Sequence, residues 1–423
     1  MSINRKAGPT GVPIAQLDFP HTPAKDLGNG INGWLYPTPG TGVARLYVVF
    51  PGGARMVPEP WTLSAAAQLQ LSGNDLYSAA AIHEKIEALG ATVEMHVEPR
   101  YHQLCISAQT KHLSEALSIW LEHSSSVIFP QHELDVYLTG IISDLQIRQT
   151  TPRYWSHRRL MEALCGPGHY LGLFSEIVDL QNISIDKLKN YTRLYLRNIP
   201  CFMILCGDVD EGLFSKLGQQ WGRVGGGTAM PNWNQRSSAD QHLSLTVPNT
   251  NQVSLSWGKT GIQIADEQYY DFWVLNTLLG GFFGSRLMKN IREEKGLTYG
   301  IHSSLVNHGD QYHWYIQSEI KAGNTDLVNE EIRNELNRLI EDAVSEVELN
   351  KVKQYLCGNL KMSFDGAFSM AAKRRDLTLL GRDYLFYDKA IELIHQVHSN
   401  RIQALASNFL IPDTFYSSAA GLI

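Results

Sequence analysis

The chain alternates between stretches with two hydrophobic periods, one typical of strands and one typical of helices. Residues 43–50 and 312–320 predict half-buried strands, and the near-continuous apolar run at 200–206 predicts a fully buried strand. Residues 61–71 and 327–343 place their apolar side chains on one face of a helix. Because strands and helices are interspersed along the whole chain, the pattern predicts an α+β fold.

The same order of elements occurs twice. Residues 86–90 correspond to residues 291–296, and Glu133 and Glu348 occupy matching positions further along each half. Two copies of roughly 200 residues agree with the usual size of a domain. We therefore predict two similar domains, each with an antiparallel-rich sheet flanked by helices.

A glycine-rich stretch separates the two copies. Residues 223–237 lose hydrophobic periodicity and contain three consecutive glycines, which is typical of a linker. We predict an N-terminal domain at 1–222, a linker at 223–237 and a C-terminal domain at 238–423.

Composition argues against several classes of partner. A hydrophobic content of 43% and a charged content of 18% indicate a globular chain, and a net charge of -6 gives no reason to expect nucleic acid or an anionic membrane. No apolar run approaches the length of a membrane span. The five cysteines form no C-x-x-C pair, and residues 1–15 lack the apolar core of a signal peptide. We expect a cytoplasmic location, or a periplasmic one if a leader was removed.

The stretch at 272–300 carries the most specific pattern. Apolar side chains at helical spacing lead up to Gly280, Gly281 and Gly284, and we expect these glycines to break the helix because their backbone is conformationally free. Ser285 is then expected to cap a second helix.

Two side chains near the end of this second helix are candidate functional groups. Lys295 and Gly296 are typical of a helix end, so Arg292 lies in the last turn and Tyr299 in the strand that follows. Because about one turn of chain separates them, both side chains can reach one point above the edge of the sheet.

Residues 280–300 resemble the pitrilysin/insulinase-type zinc peptidases, especially the shorter bacterial and mitochondrial-processing branch. There a glycine-containing turn, a Ser-Arg-Leu helix, an Arg-Glu-Lys-like segment and a Gly-Leu-x-Tyr strand recur in this order. The resemblance covers nearly the whole chain. It implies two similar domains that face each other across a cleft. It also implies that Arg292 and Tyr299 hold the substrate and that the three glycines shape the turn at the site.

The zinc motif of this family, H-x-x-E-H on a helix, is missing from the expected place. Its two histidines bind zinc and its glutamate is the general base. Counting back from the glycine turn after the helix puts the motif on residues 64–68, where Ser64 and Gln68 replace the histidines and Ala67 replaces the glutamate. Asp144 stands alone near the position of the distal ligand. Because serine and glutamine are poor zinc ligands and alanine cannot accept a proton, we predict no zinc in this chain and no hydrolysis by this chain alone.

Two other pairs of side chains have the types that bind metals. His83 and Glu87 lie one turn apart on the next helix, and His96 and His102 flank a predicted hairpin. Structural or solvated roles account for both pairs more simply. A stand-alone metallopeptidase with unusual ligands is the corresponding alternative, and a metal assay on the purified chain tests it.

The candidate pair also has a structural interpretation. Arg292 can serve only as an ion-pair partner of Glu293, Glu294 or another carboxylate, and Tyr299 can be a half-buried strand residue.

The resemblance implies that two different chains contribute to one active site. In the two-subunit bacterial members, one chain carries the zinc and the other carries the arginine and tyrosine. We therefore predict a catalytically incomplete subunit that supplies Arg292 and Tyr299 to a composite peptidase site. Its expected partners are a homologous zinc-bearing subunit, which would hold the only cofactor, and a peptide substrate; in isolation a homodimer is a further expectation. The alternative is a non-proteolytic peptide-binding or scaffold subunit, as in some respiratory complexes of this superfamily.

Overall fold

The computed structural model of this chain describes residues 14, 17, 20–196, 199–222, 231, 233, 237–309 and 311–422. Within these residues the chain forms two β-sheets flanked by helices, which confirms the predicted α+β fold.

The first sheet is built from the first half of the sequence. Its strands are β1 (Lys25–Asp26), β2 (Asn32–Pro37), β3 (Val43–Pro51), β4 (Thr92–Val97), β5 (Tyr101–Gln109) and β6 (Phe202–Gly207). They lie in the order β1-β2-β6-β3-β5-β4. β2 and β6 run parallel, and the other described pairs are antiparallel.

The second sheet is built from the second half. Its strands are β7 (His242–Thr246), β8 (Gln252–Thr260), β9 (Thr298–Asn307), β10 (Tyr312–Lys321) and β11 (Tyr416–Gly421). Their order is β7-β11-β8-β10-β9, so β9 lies at one edge of this sheet.

Helices surround both sheets. Those of the first half are α1 (Pro60–Gln68), α2 (Ala79–Ala88), α3 (Leu113–Ser125), α4 (Gln131–Gln149), α5 (Pro152–Cys165), α6 (Ile177–Gln181), α7 (Ile185–Tyr191) and α8 (Glu211–Trp221). Those of the second half are α9 (Tyr269–Asn276), α10 (Thr325–Glu341), α11 (Glu346–Met362), α12 (Gly366–Leu379), α13 (Leu385–His395) and α14 (Ser399–Phe409). The π-helical segments are Thr192–Leu196, Thr277–Gly281 and Met288–Glu294.

Each sheet buries one face under helices of its own half. In the first half, Val48 of β3 and Leu104 of β5 are fully buried in a cluster with Leu63 of α1. In the second half, Trp314 of β10 and Leu336 of α10 belong to a second buried cluster. Removing this apolar surface from water is the main favourable contribution to folding.

The opposite face of the second sheet is covered by a helix from the first half. α5 packs across β8 and β11. Leu160 of α5 is buried against Tyr315 of β10. The hydroxyl of Ser156 lies 2.8 Å from the hydroxyl of Ser256 and donates to the carbonyl of Ser418 at 3.1 Å.

The first sheet receives a helix from the second half in return. Ala367 of α12 packs in a cluster with Tyr47. Arg374, which is almost fully buried, donates from Nε to the hydroxyl oxygen of Tyr36 at 2.9 Å. Arg374 and Ala367 therefore connect α12 of the second half to the first sheet.

Most of the predicted linker lies outside the described residues. Within 223–237 the structure describes residues 231, 233 and 237. Trp233 donates from Nε1 to the carbonyl of Arg55 at 2.6 Å. The domain boundaries 1–222, 223–237 and 238–423 stay a prediction.

Candidate functional site

The side chains at the positions predicted for the zinc motif make contacts within the fold. The hydroxyl of Ser64 donates to the carbonyl of Pro60, one turn back on α1, at 3.1 Å. The amide of Gln68 donates to the carbonyl of Met95 on β4 at 2.7 Å. Ala67 is only 1% exposed and belongs to the core of the first half. α1 is therefore a structural helix with no ligands at these positions.

The other acidic and imidazole groups do not complete a zinc site. Asp144 is exposed on α4, and His83 and Glu87 are exposed on α2. Among the residues that the structure describes, no group of three or more His, Cys, Asp or Glu side chains is placed to hold a metal ion. The donor set that the family places on zinc does not fit this chain.

His96 and His102 do not face each other, in agreement with the simpler structural or solvated roles expected for them. His96 stands opposite Gln103 in the register of β4 and β5, whereas His102 stands opposite Val97. Side chains of neighbouring positions in a strand point to opposite faces of the sheet. His96 is exposed beside Glu94, and His102 is 2% exposed, so the two imidazoles face different environments.

Gly280, Gly281 and Gly284 all have ordinary backbone angles, and Gly280 is in a place where a side chain would collide with β9. None of Gly280, Gly281 and Gly284 has a positive φ, so the prediction that they supply conformational freedom is wrong. A Cβ atom on Gly280 would lie 2.6 Å from the backbone nitrogen of Ser303. Glycine thus lets this segment approach β9, the strand that carries Tyr299. That these glycines shape a binding site stays a prediction.

The second helix begins differently from the prediction. The hydroxyl of Ser285 is buried and has no hydrogen-bond partner among the described residues, so it does not cap the helix. The backbone N–H of Lys289 donates to the Ser285 carbonyl at 2.9 Å instead. Arg286 donates from Nε and Nη2 to the two carboxylate oxygens of Glu348, both at 2.9 Å. Sequence reasoning missed this bidentate pair, which fixes the turn to α11.

Arg292 lies in the last turn of the π-helical segment Met288–Glu294. Gly296 has φ of 62° and donates its N–H to the Arg292 carbonyl, which confirms the predicted helix end. The guanidinium carbon of Arg292 lies 4.6 Å from the centroid of the exposed Phe283 ring. No carboxylate in the described part of the chain lies within ion-pairing distance of Arg292, so the ion-pair interpretation lacks support. A cation on an aromatic face keeps its N–H donors available to a ligand.

Tyr299 lies at a β-bulge on the edge strand. Tyr299 and Gly300 of β9 together oppose the single residue Glu319 of β10, where the register shifts. The hydroxyl of Thr298 lies 2.7 Å from the Glu319 carbonyl and 3.0 Å from the Gly300 carbonyl, which holds the bulge. Bulges redirect side chains, and Tyr299 is 91% exposed. It is therefore not the half-buried strand residue of the structural interpretation.

A polar pocket of about 240 Å³ lies beside Tyr299. Its other walls include Arg153 of α5 and side chains from β8, β9 and β10, namely Gln252, Ser254, His302, Gln317 and Glu319. Burial, with Arg153 as a smaller contribution, lowers the pKa of His302, so this imidazole is neutral at pH 7. No sequence pattern pointed to Arg153, because its place depends on α5 crossing to the second sheet.

The structure places the two candidate side chains in different local surroundings. Tyr299 borders the polar pocket, whereas Arg292 lies on Phe283 and is not part of the pocket wall. That both side chains contact one ligand stays a prediction.

Residues 64–68 of α1 and residues 280–300 are together typical of a metallopeptidase-like chain, in which Ser64, Ala67 and Gln68 stand at the positions predicted for the zinc motif. The family described as the peptidase M16 inactive domain matches residues 182–356. The chain is 23% identical over 346 residues to YmxG of Bacillus subtilis, named an uncharacterized zinc protease, and the match covers 81% of this chain and 83% of YmxG.

Solved structures of similar fold agree. A peptidase M16 inactive domain from Pseudomonas fluorescens superposes with a TM-score of 0.81 at 16% identity, over 95% of this chain and 98% of that one. A chain in the structure of complex III2 from Candida albicans with Inz-5 bound gives a TM-score of 0.76 at 15% identity, over 95% and 96%. These findings show a peptidase M16-like fold, and together with the family model they support an inactive, peptidase-like subunit.

None of the helices in the described ranges combines the length and apolar character that crossing a bilayer requires.

Proposed function

We propose that this chain is the non-metal subunit of a two-chain zinc peptidase and that it supplies Arg292 and Tyr299 to a site completed by a zinc-bearing homologue. Two features support the proposal. The zinc positions of α1 are committed to structural contacts. The two side chains that hold substrate in the family are outward-facing here and have no ion-pair partner in the described residues.

The observation that carries the proposal is the exposure of Tyr299. A tyrosine normally buries most of its ring, yet this one is 91% exposed on an ordered strand beside a polar pocket. The bulge that turns it outward is held by the Thr298 hydroxyl. Such an arrangement is typical of a side chain that meets a partner or substrate.

The edge position of β9 gives the peptide a place to bind. An extended peptide adds to an exposed sheet edge through main-chain hydrogen bonds, and β9 is the terminal strand of the second sheet. The pocket beside Tyr299 then receives a side chain of the peptide. Arg292 donates charge-assisted hydrogen bonds to a peptide carbonyl or to the oxyanion that develops on it, and the Tyr299 hydroxyl donates to the same region.

Reconstitution tests this function. The purified chain is mixed with a zinc-bearing homologue from the same genome, and complex formation and peptide hydrolysis are measured with and without EDTA. We expect a stable complex whose EDTA-sensitive activity exceeds that of either chain alone. A zinc-bearing chain that is fully active by itself, and unaffected by this one, would contradict the proposal.

A scaffold role is the second candidate, and the likeness to a chain of complex III2 favours it. In that case the chain assembles with other proteins without supporting hydrolysis. A complex that binds peptide but shows no EDTA-sensitive cleavage would support this role. Sedimentation of the chain alone shows whether it forms a homodimer first.

A further inference from the structure

A buried imidazole in the first half makes no hydrogen bond of good geometry with any described residue. His102, the second residue of β5, is 2% exposed, and neither Nδ1 nor Nε2 has a hydrogen-bond partner in the described residues. Its ring stacks on Phe50 with centroids 4.7 Å apart and an angle of 12°. Burying a polar group without a partner is unfavourable, so this arrangement calls for an explanation.

His102 lines a pocket of about 240 Å³ where β3 ends. Met56, Leu63 of α1 and Ile199 provide apolar walls, and the exposed residues Pro51 and Pro200 also line it and open it towards solvent. An apolar cavity of about 150 Å³ is large enough for benzene. The pocket therefore has room for one six-membered ring with one or two additional heavy atoms.

The charge of His102 restricts the ligand further. Burial lowers the pKa of His102 to about 3, and a weaker backbone interaction with Tyr195 opposes this effect. The ring is therefore neutral at pH 7 and offers no positive charge to an anion. A neutral imidazole has one N–H and one nitrogen lone pair. The lone pair can accept a hydrogen bond from a ligand, whichever ring nitrogen carries it.

We infer that this pocket binds a small, neutral, mainly apolar molecule whose single hydroxyl group donates a hydrogen bond to the His102 imidazole. The apolar walls bury the hydrocarbon part of the ligand, and the hydroxyl satisfies the buried nitrogen. The inference uses no property of Arg292 or Tyr299 and is independent of the peptidase assignment.

The test compares p-cresol with p-xylene, which has a methyl group in place of the hydroxyl. Both are titrated into the full-length chain by calorimetry at pH 7, together with the His102→Phe variant and the control His83→Phe, which changes an exposed histidine. We expect saturable binding of p-cresol, about tenfold tighter than that of p-xylene. We expect His102→Phe to remove this preference and His83→Phe to keep it.

Equal affinities for the two compounds in the wild-type chain would overturn the inference, as would a preference that survives in His102→Phe. If His102→Phe fails to fold, crystals of the wild-type chain with p-bromophenol give the answer, because bromine is located by its anomalous signal. A phenol oxygen within hydrogen-bond distance of His102 supports the inference, and absence of bromine from the pocket overturns it.

Discussion

Helix α1 of the first half and residues 280–300 of the second half differ in how their polar side chains are used. On α1, the hydroxyl of Ser64 and the amide of Gln68 are hydrogen-bonded within the first half, and Ala67 is buried. In the second half, Arg292 rests on an exposed ring, and Tyr299 extends into solvent. The polar groups on α1 are satisfied within the fold, whereas Arg292 and Tyr299 have donors that the proposed function assigns to a ligand.

The largest expected effect comes from returning a glutamate to α1. Ala67→Glu buries a carboxylate among apolar side chains without a metal or cation, so we expect a loss of about 3–5 kcal/mol in the free energy of unfolding. Chemical denaturation measures it. The control is Ala88→Glu at the exposed end of α2, for which we expect little change. Equal stability of the two variants would mean that α1 still has space for its former chemistry.

Adding a methyl group to the glycine turn of the second half is expected to have an intermediate effect on the free energy of unfolding. Gly280→Ala places a methyl group 2.6 Å from the backbone nitrogen of Ser303, and relieving this contact is expected to cost about 1–3 kcal/mol. Gly358→Ala on α11 is the control, because nothing lies within 4 Å of the added carbon; we expect it to stabilise the chain by about 0.5–1 kcal/mol. If Gly280→Ala proves neutral, the close approach to β9 is not what requires glycine there.

A third prediction concerns acid stability where α5 meets the second sheet, an effect spread over more than two pH units. Burial, and to a smaller extent His169, lowers the pKa of His313 to about 4. The unfolded chain protonates near pH 6.5, so between pH 6.5 and 4 it binds more protons than the folded chain, and stability falls as pH falls. His308, Cys165 and Tyr315 surround this imidazole.

His313→Phe should therefore reduce the acid sensitivity of unfolding by up to about 1.4 kcal/mol per pH unit in that window. Denaturant titrations at pH 7, 6, 5 and 4 provide the slope. His83→Phe, on the exposed face of α2, should leave the slope unchanged. A slope that is the same in His313→Phe and the wild-type chain would show that His313 titrates normally in the fold.

The internal pattern of the sequence predicts the fold well because local periodicity fixes the strands and helices. It does not reveal that α5 packs on the second sheet and α12 on the first. A helix that packs on the sheet of the other half has the same amphipathic pattern as one that packs on the sheet of its own half. The exposed bulge at Tyr299 was also hidden, because it depends on the register with Glu319 on β10.

Some predictions about the candidate site depend only on the type of residue at a position, whereas others depend on the contacts that the residue makes in the fold. The absence of zinc inferred from Ser64, Ala67 and Gln68 stays a prediction. The capping role predicted for Ser285 was wrong, because the burial of its hydroxyl depends on tertiary packing that single-sequence patterns do not contain.

The most direct measurement compares Arg292→Ala with Lys289→Ala in the reconstituted pair with a zinc-bearing homologue. Both variants remove a cation from the same helical segment, and Lys289 is exposed and outside the Tyr299 pocket. We predict that Arg292→Ala lowers kcat for peptide hydrolysis by about 10²–10³-fold, as loss of an oxyanion donor does, while complex formation is preserved. Lys289→Ala should keep the wild-type rate. An Arg292→Ala complex that hydrolyses peptide at the wild-type rate would contradict the account.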